Sequence, residues 1–195
     1  MATIERLSHD GQVLATYEHG GAGPTLNNFA MPVLSPCGLL FCVGFDDDRT
    51  VRALGDEIFV FDSRTLELQS RFGRSTFKYV MGLAVGSFEL FVSDNEDNCV
   101  KVFSFDGELI RTFSGDCKGP GDIIFVRDRL YIYAPESRHI MVLSPTGDLL
   151  QIYSPELQEG ERCERGMAVF GGKLVLRTST GFFRRTNRVI ALQGL

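Results

Sequence analysis

The chain of 195 residues has little of what several function classes need. No apolar run approaches the ~18–20 residues of a membrane-spanning helix. The start, Met1-Ala2-Thr3-Ile4-Glu5-Arg6, lacks a basic segment followed by an apolar one, so no signal peptide is expected. The five cysteines (Cys37, Cys42, Cys99, Cys117, Cys163) are odd in number and scattered, with no CxxC pair. That spacing argues against a disulfide scaffold or a zinc site, and it leads us to expect small buried thiols in a reducing cytoplasmic setting. The three histidines (His9, His19, His139) contain no pair at metal-ligand spacing. No Gly-x-Ser-x-Gly, P-loop or Gly-x-Gly-x-x-Gly stands between a strand and a helix. Catalysis by serine or by bound nucleotide phosphate therefore has no anchor in the sequence, and we expect no cofactor and no enzyme.

Basic charge is also scarce, except at one end. Residues 1–161 carry 13 Lys/Arg against 24 Asp/Glu, whereas residues 162–195 carry seven against one. The acidic majority argues against nonspecific nucleic-acid binding, which needs a basic footprint. The basic stretch at the end keeps RNA as an alternative partner. Composition is otherwise that of an ordinary folded domain, 44% apolar and 23% charged.

What the sequence does have is repetition. Four segments share one pattern, an alternating apolar run, a tight turn and a second alternating run. They lie around Asp10-Gly11, Arg64-Thr65, Asp106-Gly107 and Thr146-Gly147. Asp-Gly between alternating runs signals a β-hairpin and predicts a type I′ turn, in which both central residues take positive φ. Gly107 and Gly147 are 40 residues apart. A period near 40 with four short strands per unit is the pattern of propeller blades. A second register agrees: Gly23-Pro24 follows Gly11 at the spacing at which Gly119-Pro120 follows Gly107.

The stretch Val92-Ser93-Asp94-Asn95-Glu96-Asp97-Asn98-Cys99-Val100-Lys101-Val102-Phe103 resembles the NHL repeat. Asp106-Gly107-Glu108-Leu109, Phe113 and Gly119-Pro120-Gly121-Asp122 continue the likeness. It is sharp over residues 88–125 and decays elsewhere, where Ala134 and Arg138 replace the positions of Asp94 and Asn98. Asp94 and Asn98 are expected to organise turns by side-chain to backbone hydrogen bonds. The resemblance implies an all-β propeller, six-bladed in most relatives, that serves as a platform for protein or RNA.

Strand patterns predict an outer half-blade over 4–17 and blades over about 29–72, 80–113, 122–153 and 166–192. Together they make one domain over 1–195 with about 4.7 four-stranded blades. That count fits a five-bladed ring or part of a six-bladed one, and exposed blade edges would favour self-association.

Two connections between second and third strands are long, residues 46–56 and 179–187. Long loops on a rigid scaffold are where binding sits. Gly181-Phe182-Phe183-Arg184-Arg185 joins aromatics to guanidiniums, a composition enriched at protein interfaces and also suited to single-stranded bases. We therefore expect a protein or peptide to contact Arg52, Phe182, Phe183, Arg184 and Arg185. A structural role as strand-ending core residues would account equally for Phe182 and Phe183. A zinc lyase of similar fold would need several histidines at the ring axis, and none falls on an expected inner strand. A calcium-dependent lactonase or hydrolase would need oxygen ligands there, for which Asn28, Asp122 and Glu164 are the candidates. Capping roles explain all three equally well.

Overall fold

The computed structural model describes residues 2–19, 28–45, 56–114, 117–163, 166–180 and 186–192. Every regular element among them is a β-strand. A hairpin of β1 (Ala2–Leu7) and β2 (Val13–His19) comes first and forms its own two-stranded sheet. Four sheets follow. The first blade holds β3 (Asn28–Leu34), β4 (Leu39–Phe45), β5 (Glu57–Asp62) and β6 (Leu68–Phe72). The second holds β7 (Val80–Val85), β8 (Glu89–Asp94), β9 (Cys99–Ser104) and β10 (Leu109–Phe113). The third holds β11 (Ile123–Val126), β12 (Arg129–Ala134), β13 (His139–Leu143) and β14 (Leu149–Tyr153). Each is an antiparallel meander in chain order, which is the blade of a β-propeller.

The fourth sheet departs from that plan. Its inner edge is split into β15 (Glu161–Cys163) and β16 (Ala168–Phe170), which pair with opposite ends of β17 (Lys173–Thr180). β18 (Thr186–Leu192) flanks the other side of β17. The sequence pattern does not predict β15, whose residues Glu161-Arg162-Cys163 are polar or charged apart from the cysteine.

Burial explains the strand composition. The middle strands β5, β8, β9, β12 and β13 are almost wholly buried, since each blade is covered on both faces. Continuous apolar runs such as Ile58-Phe59-Val60-Phe61 satisfy both faces at once. The outer strands β6, β10 and β14 are mostly exposed. Apolar cores fill the spaces between successive sheets. Phe41, Ile58, Leu90 and Phe103 lie between the first and second blades. Phe91, Val102, Ile132 and Met141 lie between the second and third. Tyr131, Ile140, Leu174 and Leu176 lie between the third and fourth. The β1–β2 hairpin closes the free face of the first blade, where Ile4 and Tyr17 cover Cys42, Phe59 and Phe61.

The expected type I′ turns are not formed. At Ser104–Gly107 the Gly107 N–H donates to the Ser104 carbonyl at 3.1 Å, and only Gly107 takes positive φ. The Ser104 N–H donates to the Glu108 carbonyl at 2.9 Å, and the β9–β10 register shifts next to the turn. This is a three-residue hairpin with a left-handed glycine and a bulge. The serine that opens it decides the outcome, because its Oγ accepts the Glu108 N–H at 3.1 Å. Ser8 and Ser144 do the same for Gln12 and Asp148. In the first blade Asp62 replaces the serine, and Leu66, not Thr65, takes the left-handed place at φ 59°.

Candidate binding face

The face that carries the second-to-third strand turns also carries the links between blades. Its described loops are held by side chains in addition to backbone bonds such as that from the Arg138 N–H to the Ala134 carbonyl at 2.8 Å. Asp94, fully buried at the end of β8, accepts the Lys78 and Tyr79 N–H groups at 3.0 and 2.9 Å. Asp56 accepts the Val80 N–H at 2.6 Å. The Ser93 hydroxyl donates to the Gly121 carbonyl at 2.6 Å, and Asn98 accepts the Gly119 N–H at 2.8 Å. Asn95 donates to the Pro120 carbonyl at 3.3 Å. Asp94 and Asn98 thus do bond backbone as expected, but they fix the inter-blade links instead of their own turn.

Lys101 sits at the centre of this lattice. It interrupts the apolar run Val100-Lys101-Val102, and it is buried. Its Nζ donates to the Thr76 carbonyl at 2.7 Å, to Asp94 at 2.7 Å and to Asp97 at 2.6 Å. Burial works to lower its pKa, but the hydrogen bonds it donates to Asp94 and Asp97 outweigh that and hold the ammonium above its ordinary value. Lys78 adds a second cation to Asp97 at 2.5 Å. The sequence reading passed over Lys101. A lysine on the sealed phase of an apolar strand was the available signal, since a buried ammonium requires partners.

A second polar cluster joins the third and fourth blades. Glu161, buried in β15, accepts from the Gln158 N–H at 2.8 Å and from the Thr178 hydroxyl. Arg138 donates to the Glu161 carbonyl at 2.7 Å. Tyr133 is pushed up to about 12, by burial first and then by Cys163 beside it. Arg138, which departs from the repeat's asparagine, therefore still ties a link in place.

Of the sequence-derived candidates, Arg52, Phe182, Phe183, Arg184, Arg185 and Glu164 lie outside the described residues. Asn28 opens β3 opposite Phe45 and is half-buried. Asp122 precedes β11, where its carboxylate accepts the Gly166 and Met167 N–H groups at 2.9 and 2.6 Å. That carboxylate is a cap across two blades. His19 packs edge-on against Phe29 and Phe59, and His139 faces Ser154. Among the described residues no three His, Cys, Asp or Glu side chains are grouped to hold a metal ion.

No family model matches the chain, and none of the curated proteins matches it. Solved structures do. A virginiamycin B lyase from Staphylococcus aureus, crystallised with quinupristin, aligns over 98% of this chain and 62% of its own at TM-score 0.66 and 14% identity. A luciferin-regenerating enzyme aligns over 86% and 61% at TM-score 0.63 and 12% identity. BamB from Moraxella catarrhalis aligns over 90% and 50% at TM-score 0.60 and 14% identity. The chain is similar to these in fold, and it spans about three-fifths of the two enzymes and half of BamB.

Proposed function

We propose that this propeller is a non-enzymatic, NHL-like platform that docks a protein or peptide on the face of the blade links. The observation that supports the reading is the stapling of that face. Asp94, Asn98, Ser93 and Asp122 each spend their polar atoms on backbone of a link. Rigid links between longer connections suit recognition, because little order has to be imposed when a partner docks. The carboxylate that a calcium-dependent lactonase would need at Asp122 is engaged in capping. Arg52, Phe182, Phe183, Arg184 and Arg185, in the long second-to-third strand connections of the sequence, are the proposed contacts.

The experiment is affinity capture with the purified chain, followed by a binding titration with the recovered protein. Arg184→Glu with Arg185→Glu is expected to weaken that binding at least tenfold while the melting temperature stays put. Unchanged affinity of the double variant would refute the assignment of the contacts. RNA is the competing partner, favoured by the basic balance of residues 162–195. It would show itself as affinity for single-stranded RNA that falls steeply with salt.

A further inference from the structure

The opposite face of the propeller has a different chemistry. There the inner strands end in the first turn of each blade, at residues 35–38, 86–88, 127–128 and 171–172. All four inner edges, β3, β7, β11 and β16, line an open groove of about 330 Å³. Its eleven lining residues are all apolar, with Leu34, Val85, Phe125, Val126 and Val169 nearest the turns. The volume is at the low end of the ~300–1,000 Å³ typical of small-molecule sites. Apolar side chains also stand out around its mouth. Leu34 is 62% exposed, Phe88 83% and Phe170 81%. Phe88 and Phe170 are the two most exposed large apolar side chains among the described residues.

Charge around the mouth has one sign in excess. Arg127, Asp128, Arg129 and Lys173 are exposed at the turns beside β11 and β16. Glu89, the other acid there, is held by both terminal nitrogens of Arg111 at 2.6 Å. Asp128 and Glu89 are thus the carboxylates at these turns, the latter chelated by Arg111, and Arg129 and Lys173 stand beside them. An apolar groove with a cationic edge complements an apolar anion.

We propose that this mouth is a binding site for a small apolar anion. The alkyl or aryl body enters among Leu34, Val85, Val126 and Val169, and the anionic head meets Arg129 and Lys173. The site is separate from the link-bearing face, so it stands or falls independently of the protein-docking reading.

Decanoate is the probe, titrated calorimetrically into the 195-residue protein below its micellar concentration. Decyltrimethylammonium supplies the same chain with the opposite charge. Saturable one-to-one binding of decanoate is expected, at least tenfold tighter than the cation. Ala168→Trp, which fills the groove, is expected to abolish it. Leu34→Trp does the same from a largely exposed position that folding tolerates. Arg129→Glu with Lys173→Glu is expected to remove the preference for the anion. Absence of saturable binding would overturn the proposal, as would equal affinity for both charges. Binding that survives both tryptophan variants but is lost in Val189→Glu would also overturn it, by placing the ligand on the open face of the last sheet.

Discussion

The ring of Phe72, which ends the outer strand of the first blade, occupies the space that a side chain on Gly107 would need. A Cβ at Gly107 would lie 2.6 Å from Phe72 Cδ1, and one at Gly147 would lie 2.6 Å from Phe113 Cγ. The same contact therefore recurs one blade later. Phe72 and Phe113 thus each cap the hairpin glycine of the following blade, so these blades are locked at their rim as well as in their cores. Gly107→Ala combines a left-handed alanine with a ring displacement and is expected to cost about 2–4 kcal/mol. Gly11 has the same backbone conformation with nothing within 4 Å. Gly11→Ala should cost only about 1 kcal/mol. Urea denaturation of both variants separates strain from the ring contact, and equal losses would show that Phe72 yields freely.

Lys101→Met tests the buried lattice of the second blade. It removes the ammonium from Asp94, which has no exposed surface, and from the Thr76 carbonyl. An uncompensated buried carboxylate costs on the order of 3–5 kcal/mol. Adding Asp94→Asn should recover part of that loss by removing the buried charge, while its single amide oxygen keeps only one of the Lys78 and Tyr79 N–H groups, which Asp94 holds on different oxygens. A double-mutant cycle in urea measures the coupling. Purely additive losses would mean that the two groups do not act as a pair.

Acid stability should depend on Glu89. Its pKa is held below the ordinary value chiefly by the hydrogen bonds from Arg111, with partial burial opposing. A carboxylate with a depressed native pKa stabilises the fold above its unfolded value of ~4.3. That contribution is lost as the pH falls through the lower native value. Arg111 also donates to the Pro145 carbonyl at 2.8 Å, so the pair bridges the second and third blades. Glu89→Gln is expected to lower stability at pH 7 and to flatten its decline below about pH 4. A variant whose acid limb parallels the parent's would exclude Glu89 as a source of that decline.

Asp122 separates capping from metal binding. Asp122→Ala is expected to cost about 1–2 kcal/mol, through the Gly166 and Met167 N–H groups it leaves unpaired. Millimolar calcium is expected to leave the melting temperature of the parent protein unchanged. A calcium-dependent rise that disappears in the variant would restore the metal reading.

The propeller was legible in the sequence because its grammar is local. A strand period of two, a glycine in three of the four hairpin turns and a spacing of 40 between Gly107 and Gly147 required no tertiary information. What escaped depends on side-chain contacts that the alternating pattern does not report. The turn type followed from Ser104 and its bond to Glu108, which the Asp-Gly pair masked. Leu66 could take the left-handed place because its side chain is buried, and composition does not report that. Lys101 was visible as an oddity in an apolar strand, but one of its partners, the Thr76 carbonyl, comes from a link 25 residues earlier. The apolar mouth was out of reach altogether, since Leu34, Val126 and Val169 come together only when four inner strands share an axis. The proposed contacts at Arg52 and Phe182–Arg185 rest on sequence, as these residues lie outside those described.

Cysteine reactivity reports how these stacked sheets come apart. Burial pushes both Cys42 and Cys117 up to about 12, so neither is a thiolate near neutral pH. Cys37 is exposed and is expected to be alkylated first in the native protein. The two buried thiols sit in different cores. Cys42 lies with Phe59 and Phe61 under the β1–β2 hairpin, a small cluster closed by a single hairpin. Cys117 belongs to the larger core between the second and third blades. In a stack where each unit contacts its neighbours, the end unit opens most easily. Pulsed alkylation across a urea series, read by mass spectrometry, should therefore expose Cys42 at lower urea than Cys117. Simultaneous exposure would mean instead that the hairpin and the blades unfold as one cooperative unit, with the inter-blade links carrying stability from end to end.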